Sequence, residues 1–253
     1  MRLIISSVLF GLLTAVSHAA EAPKYGILSL AGGNITVMSR APQTGARLTG
    51  YNRQVLQNTS LAFDETAIRA VSDALQQRHP GAASHLMLTQ DRELYTVQNA
   101  MFEQPAAQAA NRSFMASLWQ GKDVSHVILV TVFRTELELS LHNSHEGVGT
   151  AEGLGFFMDN DMLLESRETG NSSRGLLMPF AYLKVRVLDA RTLDVLAEEG
   201  FRYSTPVIHK SGTEESLRAW QALTPEEKVD YLNALIRQAM TAAVPKVLAQ
   251  AGL

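Results

Sequence analysis

The chain has 253 residues, of which 46% are hydrophobic, 7% aromatic and 19% charged. This composition excludes a disordered or fibrous protein and suffices for a sizeable hydrophobic core. The formal net charge of −3 at pH 7 gives no electrostatic footprint for nucleic acid. Because the sequence has no cysteine, we expect no disulfide, no thiolate metal ligand and no lipid anchor on a cysteine.

Residues 1–19 have the three parts of a secretory signal peptide. A basic start at Arg2 precedes an apolar run over residues 3–16, which is too short to span a bilayer comfortably. Ser17 and Ala19 are the small residues expected before a cleavage site. No later run is long and apolar enough for a transmembrane helix. We therefore expect residues 20–253 to form one exported domain, periplasmic or secreted, in a bacterium.

The first elements of this domain are two strands. Apolar and β-branched residues over 25–30 and 34–39 flank residues 31–33, which include two glycines. This pattern predicts an N-terminal hairpin with a glycine turn. Residues 41–60 are polar and predict a loop.

Helices and strands then alternate. Asp64 is a good N-cap and predicts a helix that ends near His79, and a short strand follows over residues 86–88. A second helix is predicted at about residues 106–120. Residues 127–133 are apolar on both faces, as expected of a central strand that helices cover.

A glycine-rich segment, which we call the excursion, covers about residues 143–175. It holds six of the seventeen glycines and predicts a long irregular loop with a short strand near residues 156–158. A hairpin over residues 180–203 and a C-terminal helix with a capping box at Thr224 to Glu227 complete the chain. The sequence thus predicts an α/β (α+β) fold, with helices packed against a single mixed β-sheet.

The hairpin also resembles two families of bacterial envelope proteins. Residues 185–196 contain the pattern D-x-x-T-x-x-V-L, with Asp189 and Thr192 in the turn. With the element order and the closing helix, it is similar to the curli-secretion pore subunit and to the lipoprotein activators of penicillin-binding proteins. The resemblance implies an exported accessory domain. It transfers neither a functional residue nor the lipid anchor of those families, whose cysteine this chain lacks.

The densest group of potential metal ligands is His142, His145 and Glu146, and the excursion adds Asp159 and Asp161. Imidazole and carboxylate groups suit zinc or another divalent transition metal. The spacing H-x-x-H-E matches neither helical zinc motif, so a solvated loop with no cofactor is the alternative.

Aromatic and methionine residues beside glycine and proline form a second candidate site. Side chains of this kind can form a protein-binding surface, and the alternative is that they belong to the ordinary core. The residues are Phe156, Phe157, Met158, Met178 and Phe180.

No G-x-S-x-G nucleophile motif or other strong catalytic signature occurs in the sequence. We therefore expect a non-enzymatic accessory or binding protein of the bacterial envelope that engages a protein partner. Two alternatives stay open: a hydrolase or metal-binding enzyme that uses residues 136–161, and a soluble carrier of a small apolar ligand.

The signal-peptide pattern predicts the mature N-terminus. Sequencing of the protein recovered from its native host should begin at Ala20 or within two positions of it. Recovery of the protein with Met1 intact would contradict export through this segment.

Overall fold

The computed structural model describes residues 23–40, 50–141, 144–165, 172–207 and 219–253. The strands in these residues are β1 (Lys24–Ser29), β2 (Asn34–Arg40), β3 (Tyr51–Gln57), β4 (Ala83–Met87), β5 (His126–Val132), β6 (Arg134–Leu141), β7 (Ser144–Glu165), β8 (Ser172–Asp189) and β9 (Val195–Ser204). The helices are α1 (Ala62–Arg78), α2 (Arg92–Val97), α3 (Ala100–Glu103), α4 (Ala109–Ser117) and α5 (Pro225–Gln250). A short 3-10 helix precedes α5 at Ala219–Ala222.

One mixed sheet contains these strands. β8 lies at its centre, with β9 antiparallel on one side and β5 and β7 one after the other along the opposite side. β1 pairs with β5, and β4 pairs with the outer side of β1. In the same way, β2 pairs with β7, and β3 pairs with the outer side of β2. β6 pairs with the first part of β7. The predicted α/β fold with a mixed sheet and a C-terminal helix is confirmed.

The helices form a layer on each face of the sheet. Ile27 and Leu28 are neighbours in β1, and they belong to opposite layers because successive side chains of a strand point to opposite faces. Ile27 packs in the cluster that includes Ile236 of α5, and Leu28 packs with Leu94 of α2 and Trp119. None of the helices in the described ranges has both the length and the apolar character needed to cross a membrane.

β1 and β2 form where the sequence predicts strands, but the predicted N-terminal hairpin between them was wrong. Both run antiparallel to β8, so the chain continues from one to the other in the same direction. Gly32 and Gly33 do not have the positive φ that a glycine hairpin turn requires. They instead allow close packing, because a Cβ on Gly32 would lie 2.6 Å from Asp64 Oδ2 and one on Gly33 would lie 2.5 Å from Tyr95 Cδ1.

The prediction of an irregular excursion was also wrong for the part that the structure describes. Residues 144–165 belong to β7, and β8 begins at Ser172. Gly155 serves close packing between strands, since a Cβ there would collide with the carbonyl oxygen of Thr36 in β2. Glycine content alone did not distinguish a loop from a crowded strand.

The predicted capping box of α5 is present. Thr224 Oγ1 accepts a hydrogen bond from the backbone N–H of Glu227 at 3.2 Å, and the Glu227 carboxylate accepts one from the Thr224 N–H at 2.8 Å. These bonds satisfy two donors that would otherwise lack partners at the helix N-terminus.

Replacement of Thr224 by alanine should lower the free energy of unfolding by about 1 kcal/mol, because one of these bonds is lost. Chemical denaturation monitored by circular dichroism measures the change. The conservative Thr224→Ser variant should retain most of the stability, and equal losses in both variants would contradict the capping role.

Candidate functional site

The structure tests the predicted metal ligands only in part. His142 lies outside the described residues, as do the side chains of His145 and Glu146, whose backbone is part of β7. Asp159 is buried, and its Oδ1 accepts hydrogen bonds from the N–H groups of Asp161 and Met162 at a bulge in β7. The described residues contain no group of three potential ligands that could hold a metal. Zinc binding by the two histidines stays a prediction.

The predicted interaction surface lies on adjacent strands of the sheet. Phe156, Phe157, Met178 and Phe180 are buried, and Met158 is half-buried. An interaction surface requires exposed side chains, so this burial favours the alternative that the set belongs to the core. The contacts agree, because Phe157 and Met178 are partners in the β7–β8 register.

A buried carboxylate at the passage from β1 to β2 brings together four hydrogen-bond donors. Asp64 Oδ1 accepts from Ser29 Oγ at 2.6 Å and from the N–H groups of Ala31 and Gly32, both at 3.0 Å. Asp64 Oδ2 accepts from the hydroxyl of Tyr95 in α2 at 2.7 Å. We call this cluster the Asp64 junction. Asp64 does not cap α1 as predicted but lies in its first turn, where its carboxylate reaches back to β1.

Burial dominates the electrostatics of the Asp64 junction. It raises the pKa of Asp64 above the ordinary value of 3.8, and the four hydrogen bonds offset only part of that effect. Burial and the adjacent carboxylate also raise the pKa of Tyr95. The Tyr95 hydroxyl therefore stays protonated and donates a hydrogen bond to Asp64.

The end of β3 is tied to the same passage. Asn58, the residue after β3, donates its backbone N–H to the carbonyl oxygen of Gly33 at 2.9 Å. Its side-chain amide donates to the carbonyl oxygen of Gly32 at 2.8 Å. Asn58 thus ties the end of β3 to the passage that the Asp64 junction holds, and the ladder with β2 aligns the rest of the strand.

A polar cleft of about 320 Å³ lies between β2, β3 and the α2–α3 region. Its side chains are already engaged: Gln98 accepts from the N–H of Val132, and Asn99 donates to the Val132 carbonyl oxygen. Arg53 and Glu152, on opposite walls, approach to 3.4 Å. These bonds engage four of the polar side chains that line the cleft.

Behind the cleft lies another buried charged residue, Arg186 of β8. Its guanidinium donates to Glu198 at 2.8 Å and to Thr131 at 2.9 Å, and it lies 4.6 Å from the ring centre of Phe102. Burial lowers the pKa of Arg186, and the contact with Glu198 opposes this effect. The network joins β5, β8 and β9 to the helical layer, and we interpret it as structural.

β3 is the most exposed strand among the described residues. Every residue from Asn52 to Gln57 is exposed, so both faces of the strand are open to solvent. Val55 is 48% exposed and its neighbour Leu56 is 40% exposed, on opposite faces. Within the described part of the chain, β3 pairs only with β2, and no other strand lies along its outer edge.

The other edge strands carry features that hinder pairing with another chain. β9 has Glu198, Glu199 and Arg202 and a register irregularity, and β6 has charged residues and a bulge. β4 is only five residues long. β3 has seven residues in continuous register, no proline and one charged side chain, Arg53. Apart from Arg53, it therefore lacks the devices that normally protect an edge.

Sequence reasoning missed both the Asp64 junction and β3. Residues 51–57 have no alternation of apolar and polar residues, because neither face of β3 is buried. The partners of Asp64 lie more than thirty residues away along the chain, so no local motif marks them. The run Gln54-Val55-Leu56-Gln57 within a polar segment was the one available signal for a strand.

No protein-family model matches the chain, and neither does any curated protein. Among solved structures, it is similar to a protein of the DUF330 family from Xanthomonas campestris, with 10% identity, a TM-score of 0.36 and coverage of 90% of this chain and 85% of that one. A Helicobacter pylori protein described as a homologue of a neuraminyllactose-binding hemagglutinin has 8% identity, a TM-score of 0.39 and coverage of 91% and 93%.

A lipoprotein from Neisseria meningitidis has 9% identity, a TM-score of 0.29 and coverage of 85% of this chain and 97% of that one. None of the three is named as a curli-secretion pore subunit or as an activator of penicillin-binding proteins. At these TM-scores the similarities leave the function of the chain open.

The raised pKa of Asp64 makes the stability of the fold depend on pH. Because the folded state holds the Asp64 proton more tightly than the unfolded chain does, the contribution of this group is greatest at low pH. That contribution is lost as pH rises through the raised pKa. The Asp64→Asn variant cannot titrate, so its free energy of unfolding should rise relative to that of the native protein as pH increases above 3.8.

Denaturant unfolding at a series of pH values measures this difference. Asp73→Asn is the matched control, because Asp73 lies on the same helix but is exposed. The difference in free energy of unfolding between this variant and the native protein should change less with pH. A difference for Asp64→Asn that falls as pH rises would contradict burial as the dominant influence on this carboxylate.

Proposed function

We propose that the protein is an exported, non-enzymatic binding protein of the bacterial envelope, and that it engages a protein partner at the outer edge of β3. The partner adds an extended segment to the sheet as a further strand. The observation that supports this proposal is that β3 has an open edge and two exposed faces, with no proline, no bulge and a single charged side chain, Arg53. Export is supported by the signal-peptide pattern of residues 1–19.

The chemistry of an open edge selects the kind of partner. Every second residue of an edge strand directs its N–H and C=O groups away from the sheet, where they can bond only to water or to another strand. In strand addition, these main-chain hydrogen bonds provide affinity and the neighbouring side chains provide specificity. An extended protein segment satisfies the groups along β3 in a way that no small molecule can.

The side chains of β3 indicate what the added segment presents. Val55 and Leu56 offer one apolar contact on each face, so we expect β-branched or aromatic residues beside them. Arg53 is 3.4 Å from Glu152 and partly exposed, and it favours an acidic or polar neighbour.

Strand addition predicts a local cross-link. A photoreactive amino acid in place of Gln54, expressed in the native host, should cross-link to an extended segment of one envelope protein, and mass spectrometry should locate the attachment point. The double variant Val55→Lys with Leu56→Lys should lose this cross-link, because two charges oppose edge pairing. Its melting temperature should change little, since both side chains are largely exposed.

The control is the same photoreactive residue in place of Val229, which is 41% exposed on α5. Equal labelling from positions 54 and 229, or labelling from position 54 that survives the double lysine variant, would show that the edge of β3 is not the binding site.

A further inference from the structure

We propose that, when no other partner is bound, the edge of β3 pairs with β3 of a second copy of the chain, so that two sheets join into one across a two-fold axis. The inference rests on the proposed function and adds the regulation of that site, because a protein partner then has to replace the second copy. The residues that carry it are Arg53, Gln54 and Val55.

The length of β3 fixes one register. A two-fold axis that relates antiparallel strands passes between a residue and the same residue of the copy. With the axis at Gln54, the middle residue of the strand, Tyr51 lies opposite Gln57 and Asn52 lies opposite Leu56 of the copy. All seven residues of β3 are then paired, and any other axis leaves part of both strands unpaired.

Charge favours the same register. With the axis at Gln54, Arg53 lies opposite Val55 of the copy, so the single charge of the strand never faces its equivalent. An axis at Arg53 would instead place two guanidinium groups directly opposite each other, which is unfavourable. The strand is therefore self-complementary in the register that pairs its whole length.

Access to the edge favours a partner as large as a second copy. The residues from Asn52 to Gln57 are all exposed, including Arg53 and Val55 beside the open cleft, so the described part of the protein leaves the strand accessible. Seven residues of strand pairing bury a modest area, and we therefore expect a dimer that dissociates on dilution. Such a dimer protects the open edge from aggregation. A protein partner with better side-chain contacts can still replace the second copy.

Single cysteines test the register, because the chain has none of its own. In the purified mature protein, Gln54→Cys places the two introduced cysteines directly opposite each other, with Cα atoms about 5 Å apart, within disulfide range. Gln57→Cys is the matched control, since it lies on the same strand but about 20 Å from its equivalent in the copy. Mild oxidation should cross-link the first variant at least about tenfold more than the second.

A charge change at position 55 tests the same contact in solution. Val55→Glu places a carboxylate opposite Arg53 of the copy and should strengthen the dimer, whereas Val55→Lys places a cation there and should weaken it. Because the axis makes each contact twice, the dissociation constants from sedimentation equilibrium should differ by at least about fivefold. Both variants replace an exposed side chain, so both should fold.

Equal cross-linking of the two cysteine variants, or a native protein that sediments as a monomer at every concentration, would overturn the pairing with a second copy. If the photo-cross-link from position 54 to an envelope protein persists in that case, the proposed function stands and only this inference fails. If both the dimer and the photo-cross-link are absent, the proposed function fails as well.

Discussion

The fold depends on the hydrogen bonds that Asp64 accepts at the passage from β1 to β2. One carboxylate binds the last residue of β1, two N–H groups of the passage and the hydroxyl of Tyr95. It thereby links α1, the sheet and the opposite helical layer at a single point. Removal of the carboxylate would leave these buried donors without an acceptor, which costs about 1 to 3 kcal/mol for each group.

The end of β3 is tied to the same passage, while its register is set by the ladder with β2. Gly32 and Gly33 let Asp64 and Tyr95 approach the passage closely, and their carbonyl oxygens then hold Asn58 at the end of β3. β3 contributes little to the core, because six of its seven residues are exposed. A strand that buries so little and is still held in register does little to stabilise the fold, and the proposed binding role gives it a function.

The sequence predicted those parts of the fold that are encoded by neighbouring residues. The capping box at Thr224, the turn at Asp189 and the central strand near residue 128 depend on local patterns, and each is present. Pro245 lies inside α5, and the helix nevertheless continues to Gln250. Packing of its apolar face against the sheet outweighs the hydrogen bond that proline cannot donate.

The candidate site could not be predicted because it depends on contacts between distant residues and on the absence of burial. From the sequence alone, a pair of glycines predicts a turn. Gly32 and Gly33 are instead needed because Asp64 and Tyr95 pack against them, and these contacts between distant residues exist only in the folded protein. β3 could not be predicted because it is exposed on both faces. Such a strand does not require alternating apolar and polar residues. The open edge is therefore a property of the sheet, and the sequence of residues 51–57 does not encode it.

Hydrogen exchange along β3 tests the central claim, that this strand is held in register but has an open edge. In dilute solution, where any dimer has dissociated, we expect the amide exchange rate to alternate between slow and fast along β3. Amides that bond to β2 should exchange slowly, and those between them should exchange at nearly the rate of an unfolded peptide. Slow exchange at every residue from Asn52 to Gln57 in the dilute protein would show that the edge is already covered, and it would contradict the account.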